Sequence, residues 1–148
     1  MAEYEISLDT RIDASPEDVF DKLADPQWVT SVMPGLIENT NVARIPVQTG
    51  DAFDYAYQVF GVILRGKWHV DVASRPSLYK AHTDGEGQSE WEYMLSGDGK
   101  ATTLRLKVAY EMPKGLLGKA KAQFLKAINQ KAAEHYIHNI KQYFELAK

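Results

Sequence analysis

Four tyrosines, Tyr55, Tyr57, Tyr93 and Tyr110, occupy alternating positions that would bring phenolic hydroxyls to otherwise apolar strand faces. A buried hydroxyl needs a partner in protein, water or ligand, whereas phenylalanine would fill plain core without that demand. Near the C-terminus, Lys121, His135 and Asn139 fall by helical spacing close to Ile128, inside an apolar stripe. Together these residues predict an aromatic wall with a few polar groups aimed inward, a composition suited to an apolar small molecule. Each also has a purely structural reading: a lysine near a helix end can snorkel, and an inward histidine can be hydrogen-bonded core.

Proton transfer in such a site would need a base. His135 or His82, flanked by tyrosines, could serve with a tyrosine as acid. The register of His82 within "SLYKAHTDGEG" is not fixed by alternation, and no Ser-His-Asp order or paired-carboxylate motif is present, so catalytic residues stay unassigned. His135 and His138 stand three apart, a spacing able to present two nitrogens to a metal. With no third ligand nearby, no zinc-hydrolase helix motif and no cysteine, neither a metal nor a cofactor is expected. "GLLG" at 115–118 lacks the preceding strand and the GK[ST] pattern of a phosphate loop, and reads as a helix entry.

The elements that must position these residues belong to a chain of 148 residues, which predicts a single domain over 1–148 with one core. Net charge is −3, and Lys and Arg are scattered, which argues against nucleic acid or an anionic membrane surface as partner. Hydrophobic residues at 45% and charged residues at 25% are those of an ordinary folded protein. The opening "MAEYEISLDT" alternates and is acidic, unlike a signal peptide, and the apolar stretch "VFGVIL" is too short to span a membrane. A soluble, cytoplasmic protein is expected.

Residues 3–13 alternate, with Tyr4, Ile6, Leu8, Thr10 and Ile12 on one face, and predict a half-buried strand. The period then changes at "SPED", where Ser15 is an N-cap, Pro16 the first helical residue and Asp18 an acid in the first turn. Pro26 disfavours helix at Asp25, and a second short helix runs from Gln27 to Met33. From Leu36 to Met112, turn signals at "SRPS", "TDGEG" and "SGDGK" punctuate five or six antiparallel strands. Phe53, Tyr55, Tyr57 and Val59 share a face, as do Trp68, Val70 and Val72, then Trp91, Tyr93 and Leu95, then Leu104 to Met112 at alternate positions. The opposite positions, including Asp54, Lys67, His69, Glu92 and Lys107, compose a solvated surface. Residues 119–147 contain no Gly or Pro and predict one helix spanning about 44 Å, with Phe124, Leu125, Ile128, Ala132, Tyr136, Ile140 and Tyr143 on its covering stripe.

The order of strand, two short helices, meander and long final helix, carried by "IDASPEDVFDKLADPQWVTSVMPG", "GDAFDYAYQV", "WHVDVASRP" and "GDGKATTLRLKVAYEMP", resembles the START and Bet v1-like (SRPBCC) superfamily, in particular its bacterial polyketide cyclase/dehydrase and lipid-transport-like branch. The resemblance covers nearly the whole chain. It implies an α+β helix-grip fold: a curved antiparallel sheet of about six or seven strands wrapped around a long C-terminal helix, with two short helices after the first strand. It also implies a cavity for an apolar small molecule between sheet and helix. The segment "ARIPVQTGD" lacks the glycine-rich loop typical of the plant members, so a plant-hormone type of site is not expected.

The leading reading is a non-catalytic binder or carrier of a lipid, isoprenoid or polyketide-like molecule in a pocket of about 300 to 1,000 Å³. Its ligand-binding residues would be Tyr55, Tyr57, Trp68, Trp91, Tyr93, Tyr110, Met112, Phe124, Ile128 and Ala132, with His135 and Asn139 as polar contacts. One rival is a cyclase/dehydratase-type enzyme using the same cavity. The other is a protein-interaction module, related to chaperone-activating or quinone-chaperone members, that presents the apolar "FGVILRG" loop to a protein partner.

Overall fold

The computed structural model describes residues 4–59, 61–111 and 119–147, with the backbone alone for 119–122. Strand β1 (Tyr4–Ile12) leads to helices α1 (Pro16–Leu23) and α2 (Pro26–Val32). Then come β2 (Leu36–Thr40), β3 (Ala52–Val59), β4 (Val62–Ser74), β5 (Leu78–Thr83), β6 (Ser89–Gly97), β7 (Thr102–Tyr110) and the long α3 (Lys119–Leu146). All seven strands form one antiparallel sheet in the order β1-β7-β6-β5-β4-β3-β2, the curved sheet and long helix of the helix-grip fold.

Local chemistry explains the two short helices. The Ser15 hydroxyl accepts from the Asp18 amide at 3.2 Å, and Pro16 follows it in the first turn. Pro26 acts as a stop and a start at once. By holding Asp25 extended it makes that residue the N-cap of α2, whose carboxylate accepts from the Gln27 and Trp28 amides at 3.0 and 3.2 Å. Ile12, Val19, Phe20, Leu23, Leu104 and Ile140 are buried where α1 closes one end of the sheet, and an Arg75 to Asp21 ion pair at 2.8 Å ties α1 to the β4–β5 turn. Each such apolar side chain contributes about 1.5 to 3 kcal/mol on burial. Gly97, Thr102 and the β4–β5 turn share this α1 end, while the β3–β4 and β5–β6 hairpins, Tyr4, Tyr110 and the N-terminal half of α3 gather at the other.

Two expectations about the strands need correction. Alternation puts Val72 beside Trp68 and Val70, but β4 carries a bulge between Val70 and Val72: Val70 pairs with Ala81 and Val72 with Lys80. The extra residue turns Val72 to the charged face and brings Ala73 to the core. The stretch "FGVILRG" is also not a loop. Gly61 makes the turn, at φ +73°, residues 62–66 already belong to β4, and residue 60 lies outside the described residues. Beyond them, the β5–β6 turn folds back across β4, the Asp84 and Glu86 amides donating to the Lys67 and Arg65 carbonyls at 3.1 and 3.2 Å. A side chain at Gly66 would collide with the Asp84 carbonyl oxygen, which is why β4 has a glycine there.

The outer face carries the expected charges, with Lys67 to Asp54 at 2.8 Å and Lys80 to Glu92 at 3.6 Å. These exposed pairs add little to stability. Among the described residues no helix is long and apolar enough to cross a membrane.

Candidate functional site

Between the inner face of the sheet and α3 the core leaves a cavity of about 180 Å³. It is smaller than the 300 to 1,000 Å³ expected, because aromatic rings occupy much of the gap. Trp68 and Trp91 approach with centroids 5.4 Å apart, Tyr79 stacks on Tyr93 at 5.5 Å, and Tyr136 meets Tyr93 edge-on at 6.4 Å. Strands β4, β5 and β6 place Trp68, Tyr79, Trp91 and Tyr93, and α3 places Tyr136. Leu23, Pro26, Val29 and Met33 of the short helices and their flanks form the side wall.

The polar atoms of the wall are mostly spoken for. The Tyr93 and Tyr136 hydroxyls bond each other at 2.9 Å, and the Trp68 indole N–H donates to the Tyr79 hydroxyl at 3.0 Å. The Tyr55 hydroxyl donates to the Gly87 carbonyl at 3.1 Å, while Ser89 takes hydrogen bonds from the Trp91 indole and shares one with Thr83. Burial pushes the phenols of Tyr79, Tyr93 and Tyr136 above their ordinary pKa, so they stay neutral. At the hairpin end the pairing stops. The Tyr110 hydroxyl is buried without a hydrogen bond, the Asn129 side chain lying beside it without completing one of good geometry. Tyr57 has its ring against Gly35, whose φ of +87° and missing Cβ admit the close approach, and its hydroxyl has no hydrogen-bond partner among the described residues.

Of the residues proposed from sequence, Tyr55, Tyr57, Trp68, Trp91, Tyr93, Tyr110 and Ala132 are placed around this cavity. Met112 lies outside the described residues, as does the side chain of Lys121. The remaining α3 positions do not meet it. Phe124 is 55% exposed, His135 is exposed, and Ile128 is half-buried off the cavity wall. Asn139 is structural, its amide donating to the Val32 carbonyl at 2.9 Å and so holding α2 against α3. Of the expected stripe, Leu125, Ala132 and Tyr136 do line the cavity, joined by Asn129 and Ala133, whereas Phe124 and Ile128 fall to its side. The physical reason is that α3 is only weakly amphipathic: apolar residues occur on two adjacent faces, and hydrophobicity alone ranks Phe124 and Ile128 above Asn129.

Neither histidine considered as a base reaches the cavity. His82 pairs across the strands with His69 on the outer face, their rings stacked at 4.7 Å, and its Nδ1 lies 2.8 Å from Asp71. Among the described residues no group of three or more His, Cys, Asp or Glu is placed to hold a metal.

The sequence of residues 3–145 matches the family model for polyketide cyclase / dehydrase and lipid transport proteins. The chain belongs to this family. No curated protein matches it significantly. Among solved structures, a START superfamily protein from Mycobacterium smegmatis superposes with a TM-score of 0.77 at 13% identity, over 97% of this chain and 99% of that one. A Thermus thermophilus protein gives 0.76 at 15% identity over 98% and 99%. The Zhui aromatase/cyclase from a Streptomyces species gives 0.74 at 13% identity over 96% and 93%. At these identities the likeness is one of fold.

Within this polyketide cyclase and lipid transport fold, sequence reasoning missed Phe53, Leu64, Tyr79, Thr83, Leu125, Asn129, Ala133 and Tyr136 as cavity residues. For Tyr79 a signal was present. Tyr79, Ala81 and Thr83 alternate with polar neighbours, but the bulge in β4 hides the register that would have aligned them with Trp68.

Proposed function

We propose that the protein binds and carries an apolar small molecule of lipid, isoprenoid or polyketide type in the cavity between the sheet and α3, without converting it. One observation carries this reading: the gap is lined by apolar and aromatic side chains whose polar atoms bond one another, so the wall offers a ligand mostly hydrocarbon contact. Among the described lining residues there is no His, Lys, Arg or Asp, and Glu111 is the one carboxylate. A wall so poor in ionisable groups favours holding over proton transfer.

The second reading, a polyketide cyclase/dehydratase-type reaction in the same cavity, is favoured by the family description and by the fold shared with the Zhui enzyme. Native mass spectrometry tests the first. The expected result is the chain mass plus an adduct that organic solvent extracts unchanged. A bare chain that also fails to take up N-phenyl-1-naphthylamine contradicts it, and an extracted molecule altered on incubation supports the enzyme.

A further inference from the structure

The hairpin end of the cavity carries an unanswered hydrogen-bonding group. Tyr110 is 9% exposed, its hydroxyl is buried, and no described residue completes a hydrogen bond of good geometry to it, Asn129 lying beside it. A buried hydroxyl left unpaired is a standing cost, whereas every other tyrosine hydroxyl placed by β5 or β6 has found a partner. Tyr57 and Asn129 flank it, so three uncharged polar side chains converge on one spot of an otherwise apolar wall. Among the described lining residues there is no cation. Burying an ionised carboxylate or phosphate without a counter-charge is far costlier than burying a neutral oxygen.

We infer that Tyr110 sets ligand specificity: the cavity selects an uncharged apolar molecule that ends in a hydrogen-bond acceptor, such as a ketone, aldehyde or ester oxygen, placed to receive the Tyr110 hydroxyl proton, and discriminates against anionic amphiphiles of the same length. The apolar body then lies among Trp68, Trp91 and Tyr93, where hydrocarbon leaves nothing unpaired. This inference rests on the cavity being ligand-bearing.

Displacement of N-phenyl-1-naphthylamine by four eight-carbon competitors, octane, 2-octanone, octanoate and octylamine, tests it. Octanone is expected to compete at a concentration about five- to tenfold below the others, the worth of one net hydrogen bond. Tyr110→Phe keeps the ring and removes the unpaired hydroxyl, so it should erase octanone's margin, leave octane's potency in place, and hold or raise the thermal midpoint. Asn129→Leu, on the helix instead of the sheet, should reduce the margin without abolishing probe uptake. Octanoate or octylamine matching octanone, or Tyr110→Phe weakening all four alike or none, overturns the inference and leaves the carrier reading standing. Failure of the probe to enter the parent protein overturns both.

Discussion

The two ends of the gap between sheet and α3 are built from the same residue types and finished differently. At the α1 end, Tyr79, Tyr93 and Tyr136 are each at most 3% exposed, and their hydroxyls are paired with a neighbouring indole or phenol. Short helices with their own caps seal that end. At the hairpin end the Tyr110 hydroxyl is buried without a partner and the Tyr57 hydroxyl has none among the described residues, and Val62, Ile63 and Phe124 are 40 to 55% exposed nearby. The Trp28 indole N–H of α2 is also buried without a partner, but it lies off the cavity wall, so the difference between the ends is one of the hydroxyls that line the cavity.

High pH probes the paired phenols, although burial raises Tyr57 and Tyr110 at the hairpin end as well. Free tyrosine ionises near pH 10. Burial raises Tyr79, Tyr93 and Tyr136 above that value, so the unfolded chain releases these protons first. Their contribution is complete below about pH 10, and stability falls as pH rises beyond it, by about 1.4 kcal/mol per pH unit for each group. Tyrosinate absorbance followed alongside circular dichroism should show these groups ionising together with unfolding, and their titration in the intact fold would break the comparison. Next in size, Ile140→Ala at the α1 end should cost about 2 to 5 kcal/mol by urea unfolding, whereas Val62→Ala at the hairpin tip should change stability by less than about 0.5 kcal/mol. Tyr93→Phe orphans the Tyr136 hydroxyl and should cost about 1 to 3 kcal/mol, while Tyr110→Phe should cost nothing. Equal losses for the two would erase the distinction between the ends. Smallest, Ser15→Ala should cost about 1 kcal/mol through loss of the α1 cap and leave probe binding unaltered.

Element order and the faces of most strands were legible in the sequence because period, proline and capping signals are local. Ser15, Pro16 and Pro26 act within a few residues of themselves, and Phe53, Tyr55, Tyr57 and Val59 share a wall because pleating demands it. The site was legible only on the sheet side. Which edge of the α3 stripe meets the cavity is decided by long-range contacts, such as Asn139 reaching the Val32 carbonyl and Tyr136 reaching Tyr93, which no helical wheel contains. Likewise the bulge after Val70 and the back-folded β5–β6 turn are settled between strands, so Val72 was misplaced by alternation and the alternating Tyr79, Ala81 and Thr83 could not be joined to β4. Which hydroxyls would be left without partners was also invisible, since pairing depends on those same contacts.

The central claim is that the gap is a ligand cavity and not imperfect core, and Ala132 tests it most directly because this small side chain borders the open volume from the α3 side. Titration of the parent and of Ala132→Trp with N-phenyl-1-naphthylamine, together with urea unfolding of both, should show saturable uptake by the parent, none by the variant, and unfolding free energies within about 1 kcal/mol of each other, because the indole fills space meant to be filled. No uptake by the parent, with Ala132→Trp destabilised by about 1 to 3 kcal/mol or more as in an overpacked core, would contradict it.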